Sequence, residues 1–117
     1  MASTQVYKVA GVTTAIAVTG SSSTAVTIIP SVNDQVNYCS FLNCSANPVA
    51  ITIAPVLQGV GTAAAAVLPS AGSSSVSYVL GVGMSQPTVL AVPPVFSLTT
   101  IGTTGTTLYV TPMADQT

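Results

Sequence analysis

Charge is what this chain has least of. Of its 117 residues only Lys8, Asp34 and Asp115 carry a formal charge, which is 3% of the total. An ordinary soluble domain carries roughly 25%. There is no Arg, no His and no Trp. Each absence excludes a class of function. One Lys cannot neutralise a track of phosphates, so the chain is not expected to bind nucleic acid. General acid–base catalysis draws on His or on carboxylates tuned by their neighbours. The two Asp here lie far apart in sequence, and Asp115 falls in a terminal tail. Serines are plentiful, but a Ser nucleophile needs a base, and Lys8 is the one residue able to serve. Two cysteines without His or a nearby carboxylate do not make a metal site. The run "GVGTAA" (59–64) lacks the spacing of a dinucleotide fingerprint and leads into no convincing helix. The chain therefore reads as a protein that is not an enzyme, with no catalytic or metal residues, no cofactor and no small-molecule substrate.

Long hydrophobic runs are also missing. A membrane span needs about 18 or more nearly continuous apolar residues. The longest candidate, "AAAAVL" (63–68), stops at Pro69. The opening "MASTQVYKVAGVTTAIAVTG" has no compact apolar core ahead of a small-residue cleavage site, so neither a signal peptide nor a membrane partner is expected. Disorder is disfavoured too, because it goes with low hydrophobicity and high net charge. This chain is 49% hydrophobic with a net charge of −1.

What is present is Val, Ala, Thr and Ser, punctuated by Gly and Pro. Sustained i, i+3, i+4, i+7 apolar stripes are absent, and β-branched residues occur throughout. Strand signals recur over 5–9, 12–18, 24–29, 35–43, 48–54, 64–68, 75–80, 88–92, 95–101 and 106–111. Prolines 30, 55, 69, 93, 94 and 112 close many of them. The segment 64–68 is read as a strand or a single turn, since four alanines between Gly and Pro are too short to hold a helix. Eight to ten short strands with turn signals about every 8–12 residues predict an all-β, single-domain sandwich or barrel over 1–117. Residues 1–10 are read as an N-terminal arm or edge strand, 69–75 as a mobile loop, and 112–117 as a C-terminal tail.

Both cysteines fall in "YCSFLNCSANPVAITIAP" (38–55). In an extended strand Cys39 and Cys44 would lie on the order of 15 Å apart. A disulfide needs Cα atoms within roughly 7 Å, so none is expected. Without a neighbouring base or cation they read as two free thiols in a reducing cytosol. Asn43-Cys44-Ser45 has the form of a glycan acceptor, which matters only in an exported eukaryotic chain. The Asn-, Ser- and Pro-rich break predicts a hairpin turn at 44–47 that pairs Phe41 with Ala50 and Cys39 with Thr52. Phe41, Leu42, Ile51 and Ile53 are the core candidates of this stretch.

The strand–turn–strand "CSFLNCSANPVAITIAP" (39–55), the closing "TGTTLYVTPMADQ" (104–116) and the regular strand spacing resemble the small head decoration, or cement, proteins of tailed bacteriophages. The resemblance is one of style over most of the chain, so no site residue is carried over. It implies an antiparallel β-sandwich that is a jelly roll or related to one, and a structural virion protein made in the bacterial cytoplasm and located on the outer capsid surface. There it would bind the major capsid protein and lock neighbouring coat subunits together. It also implies a homo-oligomer, trimer or dimer. Two stretches are expected to reach a partner: the segment before Gly11, with Val6, Tyr7 and Val9, and the Pro-rich "MSQPTVLAVPPVF" (84–96), with Met84, Pro93, Pro94 and Phe96. A plain edge strand and a core-covering loop account for the same two stretches equally well. A tail, baseplate or fibre-tip module is the alternative within virions, and a pilus-like surface subunit the alternative outside them.

Overall fold

The computed structural model describes residues 7–9, 11–21, 25–29, 38–93 and 95–115. Among them are nine strands and no helix. These are β1 (Tyr7–Val9), β2 (Thr14–Val18), β3 (Val26–Ile28), β4 (Tyr38–Leu42), β5 (Val49–Pro55), β6 (Tyr78–Leu80), β7 (Thr88–Ala91), β8 (Phe96–Ile101) and β9 (Thr106–Asp115). They form two antiparallel sheets. One has the order β2-β9-β4-β7, with β1 continuing the β2 edge along β9. The other has the order β3-β8-β5-β6.

The pairing is nested. β2 pairs β9, β3 pairs β8, β4 pairs β7 and β5 pairs β6. The chain thus folds as one long hairpin whose two arms run side by side and step together from sheet to sheet. That is a jelly-roll arrangement, the one the resemblance implies. Hydrogen bonds tie the paired steps. Gly102 N–H donates to Thr19 O at 2.9 Å where the arms cross between β2–β3 and β8–β9. Gly83 N–H donates to Ser45 O at 2.8 Å, and Met84 N–H to Asn43 O at 2.9 Å, where they cross between β4–β5 and β6–β7.

The expected hairpin at 44–47 is therefore overturned. β4 and β5 are consecutive but lie in different sheets, and Phe41 faces Val110 and Thr88 rather than Ala50. The physical reason is burial. Phe41 and Ile51 are both fully buried, and each fills the core best from its own sheet across the sandwich. Asn43 makes the crossing possible. Its buried side chain donates to Asn47 O at 2.8 Å and Gly81 O at 2.9 Å, and accepts from Ser45 N–H at 3.1 Å and Ser45 Oγ at 2.7 Å. All four hydrogen-bonding positions of the amide are used, so a polar group can sit in the interior at little cost.

The core lies between the sheets. Ile16, Val18, Cys39, Phe41, Leu108 and Val110 come from one side, and Ile28, Val49, Ile51, Leu80, Phe96 and Leu98 from the other. Ile53 packs on its margin, and Leu42 is half-buried on the opposite face of β4. Segment 64–68, expected as a strand or a single turn, is neither, and β9 runs through Pro112 to Asp115 instead of ending at Pro112, so 112–115 is strand and not tail. Pro112 falls where the outer neighbour of β9 changes, between Val110 opposite Thr14 and Met113 opposite Val9. A missing N–H is tolerated at such a break. Gly11 lies against the ring, and a Cβ there would meet Pro112 Cγ at 2.9 Å.

Candidate partner-binding surfaces

Cys39 is buried on the inner face of β4, and burial pushes its thiol up to about 12, against backbone hydrogen bonds with Ser40 and Thr111 that lower it. Such a thiol stays protonated and is a poor nucleophile. Cys44 is exposed in the crossing loop, where its S–H points at Met84 O, 3.7 Å away. The two cysteines are free. Among the described residues no group of three or more His, Cys, Asp or Glu could hold a metal.

The outer faces of the two sheets are more informative. On the sheet containing β8, the outward side chains Thr52, Ser97 and Thr99 are buried, because residues 56–77 loop back over them. This strap joins β5 to β6 at the tip of the long hairpin. It has no ladder of its own beyond an isolated bridge between Leu57 and Val60, so hydroxyls satisfy its backbone. Ala63 N–H donates to Ser97 Oγ at 2.9 Å, and Thr99 Oγ1 donates to Ala64 O at 2.6 Å. Val67 N–H donates to Ser77 Oγ at 3.0 Å, and that hydroxyl pairs with Thr52 Oγ1 at 2.7 Å. Within the strap Ala63 and Ala66 are buried while Ala64 and Ala65 are exposed, and the small buried side chains let the strap backbone lie close to the sheet.

The other sheet leaves Val9, Ala15, Ala17, Ala91 and Tyr109 exposed on its outer face, while Ser40 at the middle of that face is buried. Register places Val9, Met113, Tyr38 and Ala91 in one outward row, and Thr111, Ser40 and Val89 in the next. Ala15, Tyr109 and Leu42 form a third row, followed by Ala17 and Thr107. Tyr109 is 41% exposed and Val9 65%. Tyr38, Leu42, Val89, Thr111 and Met113 are half-buried by their neighbours in the sheet. None of these side chains is charged. Thr13 Oγ1 and Thr111 Oγ1 pair at 2.8 Å, so even the polar positions partly satisfy one another.

A second apolar feature is the tip of the strap. Leu57 and Val60 exchange hydrogen bonds of 2.8 and 2.9 Å around Gln58 (φ 53°) and Gly59 (φ 78°), the left-handed pair of a type I′ turn. Both flanking side chains are exposed. Beside them lies an open groove of about 530 Å³ lined by Val56, Leu57, Gln58, Pro93 and Val95.

The expected interface residues scatter across this map. Tyr7 opens β1 opposite Asp115, so 7–9 is an edge strand paired to β9 rather than a free arm. Val9 belongs to the open face. Pro93 lines the groove, and Met84 is half-buried against the core. Phe96, expected to reach a partner, is 1% exposed and is a core residue, because alternation in β8 turns it inward with Leu98. Val6 and Pro94 lie outside the described residues. Sequence reasoning missed Tyr38, Leu42, Val89, Tyr109 and Met113. The signal was the run TTLYVTPM, where Thr107, Tyr109, Thr111 and Met113 alternate with Leu108, Val110 and Pro112. Both halves are apolar, so a period of two marked a strand without saying which face was outside.

No protein family, no curated protein and no solved structure matches this chain.

Proposed function

We propose that this chain is a structural virion subunit, a decoration or cement protein that sits on the outside of a bacteriophage head and braces contacts between major capsid subunits. One observation carries the reading. Apolar side chains are exposed on several sides of a jelly roll that has almost no charge, including Val9 and Tyr109 on the open sheet, Leu57 and Val60 at the strap tip, and Val76, Tyr78, Val79 and Val82 around the β6 edge. A monomer working alone keeps itself dispersed with interspersed charge. Apolar patches on more than one side suit a subunit that touches several neighbours at once. In such a setting many modest contacts, repeated by symmetry, become jointly strong. The jelly roll recurs in viral capsid domains, and also in lectins and cupins, so the fold adds only analogy.

The test is a cryo-EM reconstruction of particles made with this protein, together with a count of its copies. A decoration protein occupies the outer head surface in numbers approaching those of the coat protein. A handful of copies at a tail or fibre tip would replace this reading with a host-recognition module, and processed protein on a cell surface would place it outside virions. Attachment through apolar contacts also survives a rise to ~0.5 M salt, where ionic contacts are largely screened.

A further inference from the structure

We infer that the open face of the β2-β9-β4-β7 sheet is a self-association surface, occupied by the same face of a second copy of this chain. The inference goes beyond the proposed virion role and does not depend on it.

Three features select a second copy. The first is charge. From the Val9–Met113 row to the Ala17–Thr107 row the outward positions carry Ala, Thr, Ser, Val, Leu, Tyr and Met, none of them charged, so two copies meet over these rows without like-charge repulsion; the one acid of β9, Asp115, pairs with Tyr7 beyond Met113. The second is shape. The β2 side of the face is small, with Ala15, Ala17 and Thr107. The β4 side is large, with Tyr38, Leu42 and, in β9 between them, Tyr109. A two-fold axis through the face sets the large half of one copy over the small half of the other, the self-complementarity that an isologous contact requires. Aligned sheets then pack about 10 Å apart, as they do within a sandwich.

The third is area. Thr107 to Met113 covers about 20 Å along β9, and the strands β2 to β7 with their side chains cover about the same across. Such a patch, doubled, buries on the order of 1,000 Å², at the low end of specific interfaces. The dimer is accordingly weak and reversible, with dissociation between about 1 μM and 1 mM.

The opposite sheet reinforces the choice. Its outward hydroxyls are already spent on the strap, through Ser97, Thr99, Thr52 and Ser77.

Sedimentation equilibrium on the full chain tests the inference. Wild-type protein is expected to shift from monomer to dimer across the stated concentration range. Tyr109→Lys and Val9→Lys, each placing a charge at the face, are expected to weaken association at least tenfold. Val60→Lys, at the strap tip, is expected to leave it unchanged. Far-ultraviolet circular dichroism of each variant confirms that the sandwich is intact. Two variants at separate strands guard against a single misfolded one. Wild type that stays monomeric throughout overturns the inference, as does a dimer that survives both face substitutions or one that is lost in Val60→Lys. If purified coat protein, rather than a second copy, protects Tyr109, the face belongs to the coat and the inference also falls.

Discussion

The two sheets of this sandwich solve the same problem in opposite ways. Each has an outer face with few charges and many β-branched or aromatic side chains. On the β3-β8-β5-β6 sheet, that face is small and hydroxyl-rich, and the chain covers it with its own residues 56–77. On the other sheet the face carries Tyr38, Leu42, Tyr109 and Met113, and Tyr109 there is 41% exposed. The difference lies in side-chain size. A strap without its own ladder must hydrogen-bond to the sheet beneath it, which requires Ser and Thr at short reach and only Ala in between. Large apolar side chains offer neither. They offer dispersion and area, which another folded surface uses better than a loop does.

The comparison can be broken most forcibly at Gly61, where the strap leaves the type I′ turn. Its φ is +142°, and a Cβ there would fall on the Pro55 carbonyl. Gly61→Ala is expected to cost at least about 3 kcal/mol in urea denaturation, since both a strained conformation and a backbone clash oppose it. Next comes Ser97→Ala, which strips the hydroxyl that accepts from Ala63 N–H and leaves that buried donor without it. The expected loss is about 2 kcal/mol. Amide exchange at Ala63 should accelerate more than exchange in β9.

A smaller effect asks whether the core beneath the open face is as dry as the core beneath the strap. The folded Cys39 thiol titrates at about 12, above its ordinary 9.0. A raised folded value favours the folded state fully below pH 9 and less as pH climbs toward 12. By pH 10 wild type should lose about 1.4 kcal/mol relative to Cys39→Ala, each variant referred to its own stability at pH 7. Parallel pH curves for the two proteins would mean that water reaches Cys39. The smallest effect is the sharpest contrast with Ser97. Tyr109→Thr, on the open face, should change the stability of the monomer by less than about 0.5 kcal/mol, as surface substitutions usually do.

Much of the fold was legible in the sequence. Turn residues at regular spacing marked the strands, and of the core candidates around the cysteines Phe41 and Ile51 are fully buried. What alternation did not convey was the route. In a nested hairpin each strand pairs far along the chain, and a turn-like segment such as 44–47 serves equally as a hairpin or as a crossing between sheets. Asn43 decides it, through bonds to Gly81 that exist only once β6 and β7 are in place. The alanine run was misleading for a related reason. Its conformation is set by Ser97 and Thr99, more than thirty residues away, and not by its own propensity. The partner surface was the least legible part, because in β9 both faces are apolar and inside differs from outside only through what packs against each.

Two tyrosines exposed on different sheets give the most direct test. Tyr109, 41% exposed, lies on the open face, and Tyr78, 49% exposed, lies in β6 at the edge of the strapped sheet. Hydroxyl-radical footprinting of the wild-type protein, repeated across the range of self-association, compares them in one sample. Protection of Tyr109 that grows with concentration, while Tyr78 stays reactive, is the expected result. Equal reactivity of both at every concentration, or protection of Tyr78 alone, would contradict a sandwich that covers one face from within and the other with a second copy.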